Sequence, residues 1–502
     1  MKEFNENSTF PIMNRLSFLK KSFLALSAIV LPLACKKEKP PIPVYQGSAI
    51  ENDAPSVLEI SYDITLANIV PPSSAFTVKV NSVARDVSIV VVSGTKVLLT
   101  LSSPIAYGDI VNVAYTRPPA NPLQTVDGGQ VSSISIQNVI NNVDLPAVIL
   151  TKVFLVKNGN VQQNVTKLLE LIGGISKYIN PTDVVVLKCN GQWPYQGYTN
   201  TECIKYIIDA ILAIPGFSGE VLICDNIQNY GSNTRNGFFA PLEDRRNNWA
   251  DHNWSTLAAE YKANNLPVAI FRWQSAAADK YISSPSEGTG WVRDFFSFHG
   301  LTAYLSYPIF ESPLTSGRLI DMKNGIWEAG AYTGKRVRTI FMPNLNNHGE
   351  GQEDYAGITS AIKCFFGATE IHLGSNVMIT HEGQTCYDIH TASYSRNQAS
   401  YAGELAAQFI QKIYSPVLYI TCAIWSGHIS RTGAATETKT IIACDNPATL
   451  DYVSCKQVIS PYASWLDPDN DNNTRKQILG CIDNGIGTID NDKYEVISYD
   501  FS

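Results

Sequence analysis

A change of hydrophobic period near residue 143 constrains this 502-residue chain more than any other feature. Over residues 53–142 apolar side chains recur at every second position: Phe76, Val78 and Val80 alternate with Thr77 and Lys79, and Val111, Val113 and Tyr115 with Asn112 and Ala114. Turn formers at Ser93-Gly94, Tyr107-Gly108-Asp109 and Asp127-Gly128-Gly129 punctuate these runs. Successive side chains of a strand point to opposite faces, so the pattern predicts short half-buried strands and an all-β Ig-like sandwich over 53–143. From 144 to 502 the period lengthens. Val165, Leu168, Leu169 and Ile172 form one helical stripe and Ile204, Ile207, Ile208 and Ile211 a second, with Thr199 and Glu202 at capping-box spacing before it. Between and after these stripes lie β-branched runs at 184–187, 221–223, 268–271, 337–341, 417–420 and 440–443. Alternating helices and strands predict an α/β domain with a largely parallel sheet, in a chain too long for a single core.

Residues 1–52 precede both patterns. Arg15, Lys20 and Lys21 lead into an apolar run at 23–34, long enough for the core of a signal peptide and too short to span a bilayer. Its end, Leu31-Pro32-Leu33-Ala34-Cys35, resembles a bacterial lipoprotein signal, with Pro32 where that pattern usually has Leu. The resemblance implies a signal segment over 1–35 and a lipid on Cys35 that anchors the mature chain to the outer membrane, on its periplasmic or surface face. The Lys- and Pro-rich stretch 36–52 suits an extended tether. Nine further cysteines include no CxxC pair, and several sit in apolar runs, so they read as small buried hydrophobes and not as a zinc ribbon or iron–sulfur site. A net charge of -7 gives no basic field for nucleic acid.

The run AFTVKVNSVARDVSIVVVSGTKVLLTLSSPIAYGDIVNVAYT, followed by DGGQVSSISIQNV, resembles the SwmB-type Ig-like repeat of bacterial surface proteins. Strand patterning and turns carry the resemblance, so it implies a fold more than a ligand. No His or carboxylates cluster here, and a spacer is the expected role, with glycan or protein binding on its loops as the lesser alternative.

In open α/β sheets, ligands gather beyond the carboxyl ends of the strands. Those ends are polar in this chain: Lys188-Cys189-Asn190, Asp225-Asn226, Arg272, the stretch from Asn344 to His348, and Asp445. Five polar ends on separate strands are best explained by a shared pocket. The richest stretch is MPNLNNHGEGQEDYAGITSAIKCFFG at 342–367. His348 stands with Glu350, Glu353 and Asp354, a set able to hold a divalent metal or to act as a general base, although a solvated loop has the same composition. In the following helix Ile358, Ala361, Ile362 and Phe365 form the buried stripe and leave Lys363 off it. A lysine at a pocket mouth near Lys188 favours a carboxylate or phosphate; an ordinary solvated lysine is the plain alternative. There is no Walker loop, GxGxxG or GxSxG, so ATP, NAD and α/β-hydrolase chemistry each lack their marker. Asp467, Asp469 and Asp471 open like a calcium loop, but Asn472 and Ile478 replace its Gly and Glu.

The region 144–502 also resembles the domain of unknown function 362 (DUF362) family. The resemblance is carried by VVVLKCN with YTNTECIKYIIDAIL and GEVLICDN, then MPNLNNHG, GITSAIKCFFG and IIACDNPATLDYVSCK. The family's marked positions fall on Lys188, Asn190, His348, Lys363, Asp445 and Asp451. Three positions depart from it: Cys189 replaces a Pro, Asn346 a Lys beside His348, and Cys364 an Asn. The ferredoxin-like cysteines of some members are missing. The resemblance implies a fold and a site location and no settled activity.

On this reading Lys188 and Lys363 hold a small anionic ligand, and His348 serves as acid, base or metal ligand, with Glu350 and Asp354 as further metal candidates. Asn190, Asp225, Asn344, Asp445 and Asp451 bind or orient. The alternative is a non-catalytic cell-surface protein that presents the pocket, or its rim of Trp193, Tyr195 and Tyr198, to glycan or peptide. The motifs do not decide between an enzyme and a binding protein.

Overall fold

The computed structural model describes residues 39–144, 150–226, 236–243, 246–247, 252–273, 280–349, 357–370, 378–395 and 399–502. Cys35, Glu350, Glu353 and Asp354, and with them the lipidation site and most of the proposed metal set, lie outside the described residues. The chain divides into two compact units, one to residue 147 and one from residue 148.

The first unit is β-rich. Its eight strands are Tyr45–Ile50, Val57–Tyr62, Phe76–Val80, Val83–Arg85, Val87–Ser93, Lys96–Leu101, Val111–Tyr115 and Ile134–Asn141. Period two becomes burial directly: Phe76, Val78 and Val80 are buried while Thr77 is exposed, and Val111, Val113 and Tyr115 are buried between half-buried neighbours. These faces meet in one core with Leu58, Val97 and Leu99. The Ile134–Asn141 strand pairs antiparallel with Val111–Tyr115 and, at its last two residues, parallel with Tyr45–Ile50, which links both sets of strands. That first strand falls in the stretch expected to be a tether. Pairing with Val57–Tyr62 satisfies a backbone that composition alone marked only as extended.

The second unit is built on a ten-stranded sheet. Its main path runs Val268–Arg272, Glu220–Asp225, Val184–Cys189, Val337–Met342, Leu418–Gly427, Ala435–Cys444, Thr151–Lys157 and Tyr494–Asp500. The first five are parallel to their neighbours, the next two join antiparallel, and the last is parallel again. The largely parallel sheet expected from the sequence is therefore corrected to a mixed one. The physical reason is the hairpin from Leu418–Gly427 to Ala435–Cys444, which reverses direction without a crossover helix. A second, seven-stranded sheet is also mixed and occupies 290–332 and 378–388. Its longest hairpin turns at His299-Gly300, both at positive φ, where an Asn-Gly pair would have signalled the turn in the sequence.

The central strands are buried on both faces. Val184 and Val186 enter one core, and Val185 and Leu187 the other. Helices Val161–Leu171, Thr201–Leu212 and Trp254–Ala263 cover the second face; Ala399–Lys412, Pro447–Ser454, Asn473–Ile482 and the second sheet cover the first. Ile204, Ile207, Ile208 and Ile211 are all 0% exposed, each burial contributing about 1.5–3 kcal/mol. The cap of their helix is Asn200, whose side chain accepts from Cys203 N at 3.0 Å. Thr199, expected in a capping box, instead accepts from Asn190 N (2.9 Å) and donates to Met342 O (2.5 Å), tying together two strand ends.

Those strand ends locate the site. From Val184–Cys189 the chain moves outward to Glu220–Asp225 and Val268–Arg272, then returns to lay Val337–Met342 on the opposite flank of Val184–Cys189. Connections leaving in opposite directions open a crevice beyond the carboxyl ends of the two central strands.

Candidate functional site

A pocket occupies this crevice, and Lys188, Asn190, Asp225, His348 and Lys363 all line it. At its floor, Lys188 Nζ lies 2.8 Å from Asp225 Oδ1, with the side chains 2% and 4% exposed. Lys188 also donates to Cys189 O at 2.7 Å, and Asp225 Oδ2 accepts from Gly191 N at 2.5 Å. Burial opposes the lysine's charge, but Asp225 outweighs it, so the ammonium is held above its usual range. Burial also raises Asp225, against the pull of Lys188 and of the Asn226 and Gly191 amides. The direct contact and the two amides on the carboxylate favour the charged pair. Gly367 permits this packing, because a Cβ there would stand 2.6 Å from Lys188 Nζ.

Lys363 is carried by the helical turn Ala361–Cys364. Asp451, wholly buried on the Pro447–Ser454 helix, accepts from Ala361 N (2.7 Å) and Ile362 N (3.0 Å) and so caps that turn from another element. Burial pushes Asp451 up to about 7, against its bonds from Ile362 N, Ser360 and Ala361 N. It is thus a positioning residue outside the pocket lining. Asn344 has a similar role: its Nδ2 donates to Gln196 O at 2.7 Å. Asp445 is exposed and is not among the lining residues.

His348 is held at both ring nitrogens. Nδ1 is 2.8 Å from Thr359 Oγ1, and Arg431 Nη1 is 3.1 Å from Nε2. A guanidinium has only donors, so Nε2 accepts, and Nδ1 carries the proton and donates to Thr359. Burial first, then the charges of Lys363 and Arg431, hold His348 well below its usual range. His390, another lining residue, is lowered to about 3 by burial and the same two cations. Both imidazoles are therefore neutral at pH 7.

The departures from the family pattern find partners here. Asn346 is buried, donating to Gln196 O at 2.9 Å and accepting from Gly427 N at 2.6 Å, while Arg431 supplies a cation next to His348. Cys364 donates its thiol to Asn190 Oδ1 at 3.1 Å, and burial pushes it up to about 12. Arg431 lies 4.5 Å from the centre of the Trp193 ring, over its face. Sequence reasoning missed Arg431 because it stands alone in a turn-rich loop, Ser430-Arg431-Thr432-Gly433, with no local pattern. His390 has no helical or strand spacing to other histidines that would mark it in the sequence.

Among the described residues, no helix is long and apolar enough to cross a membrane. Residues 39–120 match the SWM repeat, a family described as "Putative flagellar system-associated repeat". The match agrees with the SwmB-type resemblance of the first unit. Among solved structures, the N-terminal part of the bacterial S-layer protein SbsC is similar at 15% identity, over 24% of this chain and 27% of that one, with a TM-score of 0.18. The S-layer protein rSbsC(31-844) is similar at 16% identity, over 24% and 16%, with the same TM-score of 0.18. The matched part spans about a quarter or less of those structures, too little to carry an argument. No curated protein matches the chain. The identified relationship is thus that of the first unit to the SWM repeat.

Proposed function

We propose that the protein is exported and surface-associated, and that its second unit binds a small anion between Lys363 and Arg431, above the Lys188–Asp225 pair. One observation carries this: Lys363, Arg431 and Lys188 line one pocket, and Lys188 is held at its floor by Asp225. A carboxylate or phosphate complements that field, and two charge-assisted donors on separate elements give it direction. The role is recognition. His348 has both nitrogens engaged and orients Arg431, and Cys364 stays a neutral thiol. The resemblance to the DUF362 family supports the location of this site, and the lipoprotein-like signal with the SWM repeat supports placement at the cell surface.

Titration calorimetry of the whole protein with inorganic phosphate and with acetate tests the reading. Saturable binding is expected for at least one anion, and Lys363→Gln and Arg431→Gln should each weaken it about tenfold or more. Absence of binding, or binding indifferent to both substitutions, would overturn the proposal.

A further inference from the structure

Beside the cations, the pocket carries two amides that the protein holds from one end. Asn190 and Asn226 each follow the end of a strand, and these strands are adjacent and parallel with Lys188 opposite Cys224. Two residues on from that pair, the asparagines occupy matching positions on either side of the Lys188–Asp225 floor. Asn226 is 2% exposed, and its Nδ2 donates to Thr369 O at 2.5 Å. An NH2 group is needed to meet that carbonyl, so Oδ1 is fixed as the acceptor, and it has no hydrogen-bond partner. Asn190 meets a thiol instead of a carbonyl. Its Oδ1 takes the Cys364 thiol at 3.1 Å, which leaves the Nδ2 donor of this half-buried lining residue without a bond to the described protein.

A buried acceptor with no donor is costly, and here it is shut off from bulk water. Asn226 lines the pocket, so a group that enters it can supply that donor. An anion alone cannot supply it, since carboxylate and phosphate oxygens only accept. A hydroxyl can, and a pair of neighbouring hydroxyls can give a proton to Asn226 Oδ1 and take one from Asn190 Nδ2. Trp193 and Phe366, also in the lining, offer apolar surface to the C–H side of such a molecule.

We propose that the ligand is a polyhydroxylated anion, a sugar acid or a sugar or polyol phosphate, whose hydroxyls are read by Asn226 and Asn190 while its charge is held by Lys363 and Arg431. The inference rests on the anion-binding reading of this pocket and adds the hydroxyl requirement to it. Matched pairs test it on the whole protein: glycerol 3-phosphate against propyl phosphate, and glycerate against propanoate. In at least one pair the hydroxylated member should bind about tenfold tighter or more, and the better pair identifies the head group. Asn226→Leu should reduce that preference to within about twofold, a change in the ratio of matched affinities that a general loss of packing would not produce. If both members of each pair bind alike to the wild-type protein, in a manner dependent on Lys363 and Arg431, the hydroxyl inference fails and the anion site stands. If none of the four binds, both fall.

Discussion

At the scale of single residues, the pocket is governed by side chains whose charge state burial sets. Asp451 is the clearest case, because its folded pKa of about 7 lies above the ordinary 3.8. Between those values the native state keeps a proton that the unfolded chain has lost, so Asp451's contribution is fully present below about pH 4 and fades as pH rises through 7. His390 and His348 act in the opposite sense: held neutral below their usual 6.5, they cost stability as pH falls beneath that value. Wild-type and Asp451→Asn proteins must therefore be compared. The stability difference between them should change by on the order of a few kcal/mol between pH 4 and 8 in denaturant titrations, in favour of the variant at high pH. A pH-independent difference would show that Asp451 keeps one protonation state throughout.

At the scale of elements, the site is assembled by pieces that support one another's ends. The Ala361–Cys364 turn, too short to be stable alone, is capped by Asp451 from the Pro447–Ser454 helix, and the Phe365–Gly367 turn that follows it closes over the Lys188–Asp225 pair. Gly367→Ala would place a methyl 2.6 Å from Lys188 Nζ and 2.9 Å from Asp225 Oδ1, and the buried pair cannot give way without separating. A loss of about 2 kcal/mol or more in unfolding free energy is expected; a variant as stable as wild type would refute so tight a seat. Legibility follows the same division. The positions of Lys188, Asn190 and Asp225 could be read because they directly follow β-branched runs, and the geometry of parallel strands gathers such ends. Arg431 could not, since it reaches His348 through the bridge of Asn346 to Gly427, a long-range pairing with no local trace. Nor could the second sheet, whose strands run from two to eleven residues without period-two burial and are turned by uncommon pairs such as His299-Gly300.

At the scale of the whole molecule, two units carry separate cores, and the pocket belongs to the second. A spacer in the first unit and recognition in the second fit an exported chain held by a lipid at Cys35. Cys35→Ser should then move the protein from the membrane to the soluble fraction on cell fractionation, and unchanged membrane partitioning would sink the anchoring proposal.

Hydrophobic period by itself marked the strands Phe76–Val80 and Val111–Tyr115 of the first unit, and the helices Val161–Leu171 and Thr201–Leu212 and the central strands of the second. Each of these depends on neighbours a few residues apart, and local spacing decides which face is buried. Tertiary structure alone decided that the sheet is mixed, that Asn200 and not Thr199 caps its helix, and that Arg431 faces His348. Those outcomes come from backbone groups finding partners tens of residues away. The pocket's chemistry is of that kind: Asn226 becomes a fixed acceptor only because Thr369 O is folded against its amide, and Asn190 takes its place beside the Cys364 thiol in the same way.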